Sequence, residues 1–160
     1  MRLNVGKSLI IHKVIGTAFG AGYCPVAPGT AGAAVALLSW LLLLLPLALG
    51  DAKVVVALLI VAFMLMGTRS AGQLEKIWGQ DPSRVVVDEL VGTWVALLAV
   101  PSADWWWGVA AFALFRLFDI VKPLGIRRME AIGGGLGIMM DDVLAGVYSA
   151  VVLLVAGVFV

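Results

Sequence analysis

Cysteine and histidine are almost absent from this 160-residue chain: Cys24 and His12 stand alone. One cysteine forms no intramolecular disulfide and cannot build a cysteine-rich zinc site. A single histidine removes H-E-x-x-H zinc hydrolysis and every phosphatase chemistry that uses paired histidines. Cys24 is followed by PVAPGT, so no Arg closes a cysteine-phosphatase loop around it. Charge is scarce as well, at 13%, and eleven Lys and Arg against ten Asp and Glu leave a net +1. Phosphate neutralisation needs a clustered basic excess, so no nucleic acid partner is expected. What is abundant is apolar: 62% of the residues, with a mean hydropathy of +1.09. Soluble chains carry roughly 45–50% apolar residues, so the solvent for this one is lipid. Its length suits one domain, residues 1–160.

The spans are read from uncharged runs. The N-terminal stretch is apolar but interrupted by His12 and Lys13 and lacks a clean small-residue cleavage site; it reads as a short amphipathic helix, not a cleaved signal peptide. Ala31 to Leu49 carries no charge and nearly crosses a hydrocarbon core of about 30 Å. Lys53 to Gly67 returns, and Thr68 to Arg84 reads as an aqueous loop with one short amphipathic helix. Val85 to Val100 is short for a span, so it either crosses or re-enters. The run from Trp105 begins with an aromatic belt and stops at Lys122 and Pro123; Val143 to Val160 is the terminal span. The fold class is therefore all-α, a small polytopic membrane bundle of about five membrane-embedded helices. Ten of the eleven basic residues fall on one side of this layout, with Lys53 alone opposite. The positive-inside rule places that side in the cytoplasm.

Five of the ten acids, Asp88, Glu89, Asp119, Asp141 and Asp142, lie in or beside apolar segments at their cytoplasmic ends. Ionisable groups in a bilayer are costly, about 2.5–3.5 kcal/mol each at its centre, and need a cation, water or a partner. Several oxygen ligands without soft ones suit Mg²⁺ or Mn²⁺. Structural readings stand beside this one: Asp141 and Asp142 as caps of the last helix, and an Arg116 to Asp119 ion pair at i, i+3. Arg116 and Lys122 share a helical stripe with Asp119, and Lys13 and Arg127 are further cations for an anionic headgroup. In P-G-T, Thr30 is placed to cap the first span, a turn as ordinary before a membrane helix as before a phosphate. GGGLG, from Gly133 to Gly137, reads as a flexible loop or as a backbone approach to phosphate. Two functions compete on these residues: a lipid phosphatase, and a small ion or proton transporter with intramembrane carboxylates.

Four blocks in order, YCPVAPGTAG, VVVDELVGTWVAL, FRLFDIVKPLGIRRME and GGLGIMMDDVLAGVYSA, span Tyr23 to Ala150. Together they resemble the phosphatidylglycerophosphatase A family. The resemblance implies an all-helical, Mg²⁺-dependent phosphatase of the bacterial inner membrane that converts phosphatidylglycerophosphate to phosphatidylglycerol. Its partners are then that substrate and membrane lipids. Catalysis falls to Asp88, Glu89, Asp119 and Asp142, metal binding to these and Asp141, and substrate binding to Lys13, Thr30, Arg116, Lys122 and Arg127. Other lipid enzymes fit worse, since D-G-x₂-A-R and D-x-D-x-[TV] runs are missing. The topology is testable directly. Cysteines introduced at Gln80 or Glu130 are expected to react with a membrane-impermeant maleimide only from the cytoplasmic side; labelling from the periplasm would overturn the assignment.

Overall fold

The computed structural model describes residues 2–123 and 125–159 and contains helices but no strand among them. The order is α1 (Arg2–Gly16), a 3₁₀ turn (Ala21–Tyr23), α2 (Pro28–Leu43), α3 (Leu49–Trp78), α4 (Val87–Leu97), α5 (Trp105–Val121), α6 (Ile126–Glu130) and α7 (Gly134–Gly157). Local chemistry sets most of these limits. Pro28 opens α2, where its missing N–H costs nothing. Gly79, at φ 97°, ends α3. Lys122 adopts a left-handed conformation that closes α5 just before Pro123.

Several boundaries differ from the sequence expectation. The stretch from Thr68 to Trp78 does not form a loop with its own short helix: α3 runs unbroken for 30 residues, because neither a proline nor a positive-φ residue interrupts it before Gly79. The last helix begins at Gly134, not Val143, so Asp141 and Asp142 lie about two turns inside it and cap nothing. GGGLG is accordingly neither a flexible loop nor a free backbone cradle. Gly133 and Gly134 take positive φ at the helix start, and Gly135 packs so closely on α3 that a Cβ there would stand 2.7 Å from the Gly72 nitrogen. Thr30 does not cap α2. Ala27 holds the cap position without a side-chain hydrogen bond, which leaves Thr30 inside the first turn.

α3 and α7 are long and apolar enough to cross a membrane, and α2 is a shorter apolar helix. Their outward faces are greasy: Leu58 and Leu65 on α3 are each 67% exposed, and Val151, Leu154 and Val155 continue the surface on α7. A soluble protein does not present so wide an apolar belt to water. α4 is only 11 residues, about 16 Å of rise, and is buried nearly all round among α2, α3, α5 and α7. Its near end packs beside the start of α2, and its far end meets the start of α3, where Lys53 Nζ donates to the Val100 carbonyl at 2.8 Å. Halfway along, Trp94 donates to Ser39 Oγ at 2.9 Å and meets Phe63 edge-on.

α4 crosses α7 on glycine. A Cβ at Gly92 would press on the Asp142 carbonyl oxygen at 2.5 Å, and one at Gly146 would stand 3.0 Å from Val95 Cβ and overlap the Gly92 carbonyl. Small residues of this kind let helix backbones approach where lipid supplies no hydrophobic drive. Gly50, by contrast, has nothing within 4 Å of a Cβ position. Gly146→Leu is therefore expected to lower the thermal midpoint of the detergent-solubilised protein, by the roughly 1–3 kcal/mol that overpacking costs, whereas Gly50→Ala should be neutral or slightly stabilising. Equal midpoints would contradict the glycine contact.

Candidate active site

Five parts of the chain converge at one end of the bundle. The first turn of α4 supplies Asp88 and Glu89, the last turns of α5 supply Arg116, Asp119 and Lys122, and the second turn of α7 leads to Asp141 and Asp142. The start of α2 and the segment after Gly79 close the sides with Gly29, Asp81 and Ser83. The cavity between them measures about 310 Å³ and is lined by six acidic and two basic side chains. Asp88, Asp141 and Asp142 are buried, the last at 3% exposure. One carboxylate oxygen each from Asp88, Glu89 and Asp142 lies within 4.8 Å of the others.

The hydrogen bonding is incomplete in a telling way. Arg116 donates to Asp119 Oδ2, so the i, i+3 pair forms, and Lys122 Nζ reaches across to Asp141 Oδ2 at 2.7 Å. Yet Asp88 Oδ1, Glu89 Oε2, Asp141 Oδ1 and Asp142 Oδ2 are buried without a protein partner, as is Arg116 Nε. Unpartnered buried carboxylate oxygens are expensive, and adjacent like charges add repulsion. The donor set, all hard oxygen and drawn from two helices, fits a divalent cation such as Mg²⁺. The free Arg116 nitrogen fits an anion oxygen beside it.

Gly29 makes the approach possible. A Cβ there would overlap Glu89 Oε1 and sit 3.1 Å from Arg116 Nη1, so any larger residue would push the acid and the base apart. This is the physical content of the P-G-T turn: the glycine, not the threonine, faces the site. Thr30 does not line the cavity, and neither do Lys13 nor Arg127. Lys13 sits 5.9 Å above the Trp78 ring, beside a separate apolar groove, and Arg127 is exposed on α6. Lys122 does not extend freely to a headgroup, because its left-handed backbone turns it toward Asp141. Sequence reasoning missed Asp81 and Ser83. They belong to the D-P-S turn directly ahead of the α4 acids, and that proximity was the available signal.

A bundle of apolar helices that buries an acidic, cation-ready pocket against an arginine and a lysine has the makings of a membrane-embedded phosphate-handling enzyme. The family model described as phosphatidylglycerophosphatase A matches residues 14–157, and the chain belongs to that family. It is 56% identical over 145 residues to a Bacteroides thetaiotaomicron protein provisionally named phosphatidylinositol-3-phosphatase, covering 89% of this chain and 91% of that one. It is 37% identical to phosphatidylglycerophosphatase A of Escherichia coli K12, over 90% of this chain and 82% of that protein. The Haemophilus influenzae protein of the same name is 38% identical, over 89% and 86% of the two chains. No solved structure matches the chain.

Mutual repulsion among these carboxylates has a stability consequence. Asp142→Asn is expected to raise the thermal midpoint in chelator: relief of about 1 kcal/mol moves a domain of this size by roughly 2–4 °C. Added Mg²⁺ should erase or reverse that advantage. A midpoint that falls in chelator would show that the carboxylate is held by protein contacts instead.

Proposed function

We propose that the chain removes the terminal phosphate of phosphatidylglycerophosphate, releasing phosphatidylglycerol and inorganic phosphate, in a Mg²⁺-dependent hydrolysis at the cytoplasmic face of the bacterial inner membrane. The observation that carries this reading is the convergence of Asp88, Glu89 and Asp142 opposite Arg116 in one cavity. Asp88, Glu89 and Asp142, with Asp119 and Asp141 at the edge, would hold the ion. When bound, Mg²⁺ supplies charge neutralisation and polarises a phosphoryl oxygen. Arg116 offers its unpartnered nitrogen to a second phosphate oxygen while its other arm stays fixed by Asp119. Lys122, held near the cavity by Asp141, contributes positive charge where the transferred group gains negative charge. Catalysis then rests on positioning and electrostatics, with α4 and α7 as the rigid frame.

Around this site, α2, α3, α5 and α7 pass through the bilayer and the shorter α4 enters it, five embedded helices in all. The basic residues near the site end keep that end in the cytoplasm. A transporter would spread its acids through the depth of the bundle, whereas these gather at one end.

The Bacteroides relative favours a second substrate, phosphatidylinositol 3-phosphate, which presents the same phosphomonoester on a different polyol. Phosphate release from each lipid in mixed micelles, with and without Mg²⁺, separates the two. Asp88→Asn, Glu89→Gln, Asp119→Asn and Asp142→Asn are each expected to cost about 100-fold or more in turnover while the protein still inserts and folds, and Asp51→Asn and Asp104→Asn about twofold at most. Near-normal turnover in the four amide variants would overturn the site.

A further inference from the structure

A second cavity of about 350 Å³ adjoins the acidic one, and Asp81 and Asp141 line both. Its walls come from the last turns of α3, the segment after Gly79 and the start of α7. Glu75 and Gln80 face Gly133 and Gly134 across it, and Ile138 is the one bulky apolar residue among the described lining residues. Among the described residues, no lysine or arginine lines it. Asp141 is 7% exposed, and its Oδ1 has no protein partner. A Cβ at Gly133 or Gly134 would meet nothing within 4 Å, so the glycine wall stands open.

We propose that this cavity is the subsite for the polyol of the lipid headgroup, the hydroxyl-bearing segment that carries the phosphomonoester. The proposal rests on the phosphatase reading and extends it to headgroup selection. The sign of the walls decides what fits. Glu75, Asp81 and Asp141 would repel a phosphate, and an acyl chain finds almost no apolar wall. Hydroxyl groups, which are donors, match carboxylate and amide oxygens, which are acceptors. With the polyol seated here, the phosphate it bears is led past Asp81 and Asp141 into the first cavity, toward Arg116. Asp81 lines both spaces, and its backbone is left-handed, at φ 44°, a conformation unusual for a residue other than glycine. Glu75 and Gln80 line only the second cavity, so changing them leaves the phosphate site intact.

The test uses calorimetric binding of sn-glycerol 3-phosphate and of methyl phosphate to the full chain in detergent with Mg²⁺, followed by kinetics on phosphatidylglycerophosphate. Wild type should bind glycerol phosphate about fivefold or more tightly than methyl phosphate, and Gln80→Ala and Glu75→Ala/Gln80→Ala should lose that preference. In the same variants KM for the lipid should rise about fivefold with kcat changed less than about twofold. Equal binding of the two phosphates by wild type, or an undiminished preference in the double variant, would overturn the subsite. The exposed single change at Gln80 guards against a double variant that fails to fold. A retained binding preference without phosphate release from any lipid would instead sink the phosphatase reading alone.

Discussion

The close passage of α4 against α7 is the constraint from which the rest of the arrangement follows. Asp88 and Glu89 stand on one helix and Asp142 on the other, and their oxygens come within 4.8 Å only because Gly92 and Gly146 let the two backbones nearly touch. In water such packing would be driven by apolar burial. In lipid it depends on dispersion and on the absence of side chains at the crossing, so glycine becomes the structural residue. The same device recurs where Gly32 of α2 meets Val86 and where Gly135 of α7 meets α3. The protein thus holds its most costly groups, buried carboxylates, in place with its smallest ones.

That frame explains why the charges gather at one end. α4 is too short to carry its acids far, and it is enclosed by apolar helices that leave an opening only where α2 begins and α5 ends. Arg116 and Lys122 can face the acids because α5 runs toward the same end and stops there, at a left-handed lysine before a proline. Each cation is already half engaged, Arg116 with Asp119 and Lys122 with Asp141, which fixes its direction at little entropic cost when an anion arrives. Unpartnered oxygens in such a pocket are a standing destabilisation. Proteins keep strain of this kind where function requires it.

The two cavities share a wall at Asp81 and Asp141. α3, at 30 residues, is longer than a bilayer core requires and ends at Trp78; Glu75 near its end and Gln80 beyond it line the second cavity, while Lys13 and Arg84 pack on the Trp78 ring. A tryptophan flanked by basic side chains is the pairing that membrane–water interfaces favour. On the proposed reading the acceptors for the polyol and the acid and base cluster lie side by side, divided by Asp81 and Asp141.

The sequence by itself determined the helical class, the lipid environment and the identity of the acids, because apolar run length, charge scarcity and block order are local or compositional properties. Asp88, Glu89, Asp119, Asp141 and Asp142 were all legible as carboxylates too costly to bury idly. Tertiary structure alone decided which cations join them. Lys13 and Arg127, like the uncharged Thr30, do not line the cavity, since the packing of α1 on α3 and the exposure of α6 are long-range outcomes with no local signature. It also moved Asp141 and Asp142 from a helix cap to a helix interior, because a glycine run that reads as a loop becomes helical once α3 lies against it. Asp81 and Gly29 entered the site for the same reason: a turn residue acquires a role only when the fold sets another element opposite it.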